Sequence, residues 1–98
     1  MTTSLVVRRE AELDVEEAAG HYEDERPGLG ERFTHELDIL LARIAQSPLQ
    51  FPSVGEGARR GLVHKFPYSV YFLLEHQTVT VLAVVHQRRH PDTWKRRL

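Results

Sequence analysis

The first part of the chain changes from a strand pattern to a helical one. Leu5-Val6-Val7 is a short run rich in β-branched residues, so we predict a first strand over Ser4–Arg9. From Glu10 onward the apolar positions recur three or four residues apart, as they do on one face of an α-helix. These positions are Ala11, Val15, Ala18, Ala19 and Tyr22. Pro27-Gly28 should end this helix, because proline cannot continue the hydrogen-bond ladder.

A second helix should follow at once, and it carries the clearest apolar stripe in the chain. The stripe consists of Phe33, Leu37, Leu40, Leu41 and Ile44. Ser47-Pro48 ends it, and the short Pro-Gly connection predicts an antiparallel hairpin of the two helices. Gly20 inside the first helix costs about 1 kcal/mol relative to alanine. We expect close approach of a neighbouring element to be the reason for this glycine.

The second half of the chain has strand patterns. The segment from Pro48 to Ala58 holds two prolines and two glycines and is predicted to be a loop. Three strands should follow, over Arg60–Phe66, Tyr68–Glu75 and Thr78–His86. The middle strand is apolar on both faces, as is typical of a central strand covered on both sides. The tail, Asp92 to Leu98, is expected to form a short helix with Asp92 as its N-cap.

The resulting order is β-α-α-β-β-β, followed by a short C-terminal helix or tail. Strands joined by short connections favour an antiparallel sheet, and the helical hairpin should pack on one face of it. The fold class is therefore α+β. The first strand should pair at the sheet edge or beside the last strand. We expect one domain over residues 1–98, since a chain of 98 residues supports a single modest core.

Composition narrows the possible functions. The hydrophobic fraction of 41% and the charged fraction of 28% are ordinary for a globular domain. The chain contains no cysteine, which excludes disulfides, thiolate metal sites and a cysteine nucleophile. We expect no metal and no cofactor, because no phosphate-binding loop or zinc-ligand pattern is present. No apolar run is long enough for a signal peptide or a membrane span, so we expect a cytoplasmic protein without a membrane partner.

The net charge of −1 conceals two oppositely charged halves. Residues 10–38 hold eleven acidic and two basic side chains, a balance of −9. Residues 59–98 hold eight basic and two acidic side chains, a balance of +6. A surface that is positive on one side attracts anionic partners even when the whole chain is near neutral.

The candidate chemistry lies where the last strand meets the basic tail. Strand alternation should place His86 and Arg88 on the face that Leu82 and Val84 share, with Gln87 and Arg89 on the opposite face. Arg60, His64 and Lys65 should lie on a neighbouring strand of the same sheet. Guanidinium groups grip phosphate, and histidine transfers protons near neutral pH.

The tail itself has a structural and a functional interpretation. Trp94 is more readily an anchor that packs the tail on the sheet than a platform for base stacking. Arg96 and Arg97 suit a surface that docks a protein partner. His86 at a strand end is equally compatible with a half-buried residue that is hydrogen-bonded to backbone.

Three segments together resemble the RelE/ParE superfamily of type II toxins. The first is the hairpin from Glu17 to Glu23 and on through Gly28-Leu29-Gly30-Glu31-Arg32-Phe33 to Pro48. The second runs from Arg59 to Phe72 and contains the Phe66-Pro67-Tyr68 turn. The third runs from Val81 to Trp94 and ends in a His-x-x-Arg-x-Pro-x-x-Trp pattern.

The resemblance implies a toxin that a separate antitoxin neutralises within a toxin–antitoxin hetero-oligomer. It also implies two possible targets. ParE-like members poison DNA gyrase, whereas RelE-like members cut messenger RNA on the ribosome. A harmless member that acts only within its complex is a third possibility.

A ribonuclease of the RelE type would assign specific roles in this chain. Arg60 and Lys65 would contact phosphate, Arg88 would stabilise transition-state charge, and His86 or His90 would transfer protons. Whichever the target, the residues expected at the partner surface are Arg89, Trp94, Lys95, Arg96 and Arg97. This sequence departs from the ribonucleases in lacking a tyrosine after Arg89 and in its acidic hairpin, and these departures favour a ParE-like member.

Overall fold

A computed structural model describes residues 3–98 of the chain. It contains five strands, two long helices, one 3₁₀ turn and a short terminal helix. In chain order these are β1 (Ser4–Val7), α1 (Arg9–Glu25), α2 (Leu29–Gln46), the 3₁₀ turn (Pro48–Gln50), β2 (Ser53–Gly55), β3 (Ala58–Leu62), β4 (Tyr68–Glu75), β5 (Thr78–His86) and α3 (Asp92–Lys95). The predicted α+β class is confirmed. No helix within residues 3–98 combines the length and the apolar character needed to cross a membrane.

The helical hairpin closes through a glycine, but not through the one expected. A Cβ on Gly30 would lie 2.7 Å from the Ala19 carbonyl oxygen, so α1 and α2 touch backbone to backbone there. Gly20 has no neighbouring atom within 4 Å of its would-be Cβ, and the expectation of close approach at that position is wrong. Glu23 reinforces the turn, since its carboxylate accepts hydrogen bonds from the backbone N–H groups of Gly28 and Gly30 at 3.0 and 3.1 Å.

The five strands form one sheet in the order β1-β5-β4-β3-β2. β1 pairs in parallel with β5, from Ser4 opposite Thr78 to Val7 opposite Val81. The predicted alternatives for the first strand thus coincide, because β1 is both an edge strand and the neighbour of the last strand. The remaining neighbours pair antiparallel, as expected from their short connections.

The third predicted strand is displaced along the chain. It was predicted over Arg60–Phe66, whereas β3 covers Ala58–Leu62 and residues 63–67 form the turn into β4. Lys65 has a φ of 69°, a conformation that a strand does not allow. Phe66 lies in this turn because its ring packs against Tyr22, with ring centres 4.9 Å apart. The segment predicted as a loop after α2 also holds the 3₁₀ turn and β2.

The sheet buries both faces to different extents. One face packs on the helices, with Phe33, Leu37 and Ile44 against Val70 and Phe72. The other face carries a smaller cluster covered by the tail, in which Leu82, Ala83, Val85 and Ala58 pack with Trp94. α3 begins at Asp92 with Pro91 in the N-cap position, so the expected cap by Asp92 is wrong, although the short helix itself is confirmed.

Candidate functional site

β5 is irregular just before the predicted site. Its register against β4 shifts between Tyr71, which faces Ala83, and Phe72, which faces Val81. Leu82 is therefore an extra residue, and this β-bulge reverses the alternation beyond it. Val84 packs on the helix side whereas Leu82 packs on the other side. The expected common face for Leu82, Val84, His86 and Arg88 is wrong for this reason.

His86 ends β5 on the helix side of the sheet. Its ring packs edge-on against Tyr68, with ring centres 5.3 Å apart. Its Nδ1 accepts a hydrogen bond from the backbone N–H of Arg88 at 3.0 Å. That bond requires an unprotonated Nδ1, so the neutral imidazole keeps its proton on Nε2. His86 is thus held as the half-buried, backbone-bonded residue that one interpretation of the sequence predicted.

The turn after β5 contains a second hydrogen bond of this kind, from a backbone N–H to the histidine two residues before it. The Nδ1 of His90 accepts a hydrogen bond from the backbone N–H of Asp92 at 3.1 Å. Between the two histidines, Arg88 and Arg89 project into solvent from a turn that does not continue the strand. Each histidine therefore orders the backbone of the turn that leads into α3.

Arg60 and Lys65 do not join His86. Arg60 pairs with Tyr71 across β3 and β4, which places it on the face opposite to Tyr68 and His86. The Nε of Arg60 is buried and has no hydrogen-bond partner among the described residues. Lys65, like His64, is exposed in the β3–β4 turn, not on the strand where it was expected. The five residues predicted for a ribonuclease are thus not brought to one face.

Trp94 fixes the tail to the sheet. Its ring stacks on that of Tyr71, with centres 5.3 Å apart and planes 13° from parallel. Only 3% of Trp94 is exposed, while the Nζ of Lys95 lies 5.8 Å from the ring centre on the solvent side. Trp94 is therefore an anchor, as its structural interpretation predicted, and in this conformation it offers almost no surface to a partner.

Arg97 is the second fixed point of the tail. Its guanidinium binds both carboxylate oxygens of Asp14 in α1, at 2.5 and 3.2 Å, and donates to the Leu82 carbonyl at 3.0 Å. The hydrogen bond that Arg97 donates to the Asp14 carboxylate raises the pKa of Arg97. The Arg97 carbonyl in turn accepts a hydrogen bond from Arg8. Arg97 was predicted at the partner surface, but here it holds the C-terminus to α1 and to the bulge.

Asp14 was missed by the sequence analysis, although the sequence contains a signal for it. It lies three residues after Ala11 and four before Ala18, on the buried stripe of α1. A carboxylate on an apolar stripe needs an internal partner. Asp14 also accepts a hydrogen bond from the backbone N–H of Val84 at 2.9 Å, so it joins α1, β5 and the tail.

Exposed basic side chains follow one another through the turn after β5 and the segment around α3. We call this the tail surface, and it comprises Arg88, Arg89, His90, Lys95 and Arg96. Within residues 3–98, no group of three histidine, aspartate or glutamate side chains is placed to hold a metal ion.

Known proteins have the same architecture. Chains of two toxin–antitoxin systems are among the solved structures that share the fold. A chain of a chromosomal ParDE toxin–antitoxin system from P. aeruginosa superimposes with a TM-score of 0.77 at 20% identity, covering 87% of this chain and 96% of that chain. A chain of the RelBE2 toxin–antitoxin complex from Mycobacterium tuberculosis superimposes with a TM-score of 0.58 at 17% identity, covering 88% and 99%. A comparison with curated proteins gave no match.

The sequence itself assigns the family. Residues 5–91, which include α1, α2 and all of the sheet except Ser4, match the model of the ParE toxin of the type II toxin–antitoxin system parDE. The resemblance to the RelE/ParE superfamily is confirmed, and the chain belongs to the ParE toxin family.

Proposed function

We propose that the protein is the growth-inhibiting toxin of a type II toxin–antitoxin pair and that DNA gyrase is its target. A cognate antitoxin neutralises it in a cytoplasmic hetero-oligomer. The observation that carries this proposal is the match to the ParE toxin family over residues 5–91. The solved structure with the higher TM-score of the two comes from a ParDE system, which agrees with that assignment.

The geometry at the end of β5 supports a binding function better than RNA cleavage. Cleavage needs a base, an acid and a cation around a single phosphate. Arg60 lies on the opposite face of the sheet from His86, and the Nδ1 of His86 is occupied by the Arg88 N–H. A general base at His86 would have to give up this backbone hydrogen bond first.

The tail surface is the part of the protein that we assign to the target. Four of its basic side chains are exposed arginines and lysines, namely Arg88, Arg89, Lys95 and Arg96. Trp94 and Arg97 attach the segment that carries them to the sheet and to α1. Arginine binds carboxylate and phosphate through paired N–H groups, which suits a complex of a protein with DNA. A fixed array of cations also costs less ordering entropy on binding than a free basic tail does.

A charge-reversal experiment tests the proposal. Lys95→Glu/Arg96→Glu reverses two exposed charges of the tail surface, and Arg26→Glu/Arg32→Glu makes the same change on the helical hairpin. We expect wild type and the hairpin variant to inhibit gyrase supercoiling with purified components and to arrest growth on induction. The tail variant should require at least a tenfold higher concentration for the same inhibition, because its glutamates repel the carboxylate and phosphate groups of the gyrase–DNA complex.

Two outcomes would contradict the proposal. One is normal supercoiling together with new messenger 5′ ends that disappear in Arg88→Ala or His86→Ala, which would identify a ribonuclease. The other is unimpaired growth when the protein is expressed alone, with antitoxin co-expression as the reference, which would identify an inactive member. Circular dichroism of each variant controls for loss of the fold.

A further inference from the structure

The second half of β5 has no strand on its outer side. β1 pairs with β5 only as far as Val81, whereas β5 continues to His86. Within residues 3–98, Leu82–His86 therefore has a strand neighbour only in β4. This stretch is an open sheet edge in line with β1.

The hydrogen bonds around Tyr68 show which backbone groups of β5 point outward. Tyr68 donates its N–H to Phe66 and accepts from Val63, so its backbone faces away from His86. Gln87 donates to Pro67 on the β4 side. Because antiparallel ladders alternate, Val84 and His86 must direct their backbone groups to the open edge. The hydrogen bond from the Val84 N–H to Asp14 agrees with this direction.

Three of the five outward groups already have partners. The Leu82 carbonyl accepts from Arg97, the Val84 N–H donates to Asp14, and the His86 carbonyl accepts from the Arg89 N–H. The Val84 carbonyl and the His86 N–H have no hydrogen bond to any other residue in 3–98. An acceptor and a donor two residues apart on an open edge form a template for an added strand.

A groove of about 580 Å³ lies directly beside this edge. Val84, His86 and Tyr68 line its sheet side, and α1 forms the opposite wall. Glu16 and Ala18 of α1 line it, together with four side chains that recur at a spacing of three, four and three residues, namely Asp14, Glu17, His21 and Asp24. Gly20 also lies in this wall, where the absence of a side chain keeps the groove open.

We propose that this groove binds a short extended segment of a protein partner, which pairs with the open edge of β5 and places a basic side chain against α1. The direction of the segment follows from the free groups. In a parallel ladder one residue donates to the residue before its partner and accepts from the residue after it, as Ser4, paired with Thr78, donates to the Gln77 carbonyl. A residue opposite Val85 would use the Val84 carbonyl and the His86 N–H in this way. A full antiparallel pair opposite Val84 would need the Val84 N–H, which Asp14 occupies, and one opposite His86 would need the His86 carbonyl, which accepts from Arg89.

The charge of the groove selects the side chains of the segment. The residues on either side of the one opposite Val85 point to the same face as Val84 and His86, and therefore toward α1. Glu17 and Asp24 are exposed on that wall, and Arg89 is the single arginine or lysine that lines the groove. The segment should thus carry arginine or lysine at these positions and be rejected when it carries glutamate.

Tethered peptides test the proposal, because the natural chain has no cysteine and one introduced thiol is unique. We place it in the groove as Gly20→Cys and, as a control, on the exposed side of α2 as Ala42→Cys. The probes are two peptides, Cys-Gly-Arg-Val-Arg and Cys-Gly-Glu-Val-Glu. At Gly20→Cys the arginine peptide should withstand at least a fivefold higher thiol concentration than the glutamate peptide, with no such preference at Ala42→Cys.

A second readout separates strand pairing from charge attraction alone. The tethered arginine peptide should slow hydrogen exchange of the His86 amide at least tenfold. N-methylation of its valine removes the donor to the Val84 carbonyl and should abolish both the protection and the preference. Equal capture of both peptides, or capture without protection of the His86 amide, would overturn the proposal. Neither result depends on gyrase inhibition, so the two proposals fail separately.

Discussion

At the scale of single residues, two glycines of the helical hairpin have opposite roles. Gly30 cannot accept a methyl group, since its Cβ would lie 2.7 Å from the Ala19 carbonyl oxygen. Gly20 has open space at the same position and serves no packing purpose. Replacing either glycine by alanine adds the same methyl group to a helix, so the two substitutions form a matched pair.

We predict that Gly30→Ala lowers the free energy of unfolding by about 1–3 kcal/mol, because α1 and α2 must move apart. Gly20→Ala should raise it by about 0.5–1 kcal/mol through helix propensity and a less flexible unfolded chain. Urea unfolding followed by circular dichroism measures both. Equal effects of the two substitutions would show that the backbone contact at Gly30 has no energetic weight.

The site was only partly predictable from single residues. The sequence located His86, Arg88 and the basic tail correctly as neighbours, because they are close along the chain. It could not show that Arg60 points to the opposite face, since that depends on the register of β3 against β4. It also could not distinguish Arg97 from Arg96, of which only Arg97 reaches Asp14.

At the scale of elements, the ion pair of Arg97 with α1 and the stacking of Trp94 on the sheet contribute to holding the tail. The Asp14 and Arg97 side chains are 15% and 19% exposed, so their pair lies between the surface and the buried limits. Arg97 and Asp14 also satisfy two backbone groups of the β5 bulge. Loss of either side chain leaves these groups without their partners.

We predict that Asp14→Asn lowers the free energy of unfolding by about 2 kcal/mol and loosens α3. The tail carries the only tryptophan, which is 3% exposed, so its fluorescence reports docking of α3 directly. Emission should shift to longer wavelength in native buffer for Asp14→Asn and for Arg97→Gln, but not for Glu16→Gln on the same helix. A double-mutant cycle with a coupling below about 0.5 kcal/mol would contradict this role.

The order of the two long helices and of β1, β3, β4 and β5 was predicted, but β2 and the 3₁₀ turn were not. Two further features were displaced or missed, and each has a physical cause. β3 begins two residues early because backbone pairing with β4 extends to Ala58, where the sequence suggests a loop. The turn after β3 holds Phe66, whose ring packs in the aromatic cluster. An apolar residue buried in a turn cannot be distinguished by sequence pattern from one in a strand. The bulge at Leu82 had no sequence signal, since it lies inside an unbroken apolar run.

At the scale of the whole molecule, the helices and the sheet meet in an aromatic cluster that contains two tyrosines. Tyr22 of α1 and Tyr68 of β4 have ring centres 5.9 Å apart, with Phe33 of α2 against both. Burial is the main cause that raises the pKa of each above the usual 10.0. The charge of Glu17 raises the pKa of Tyr68 further, while that of Arg89 lowers it.

These shifts predict a loss of stability in alkaline solution. The folded protein holds the two phenolic protons more tightly than the unfolded chain does, so the free energy of unfolding is unaffected below pH 10 and falls as the pH rises above it. We expect Tyr22→Phe/Tyr68→Phe to retain its stability at pH 8 and to lose less of it by pH 11 than wild type. Urea midpoints across this range measure the difference, with Tyr71→Phe on the opposite face as the control. An identical decrease of the urea midpoint with pH in wild type and the double variant would mean that the cluster admits water when the tyrosines ionise. The helices and the sheet would then be less tightly packed than the ring contacts imply.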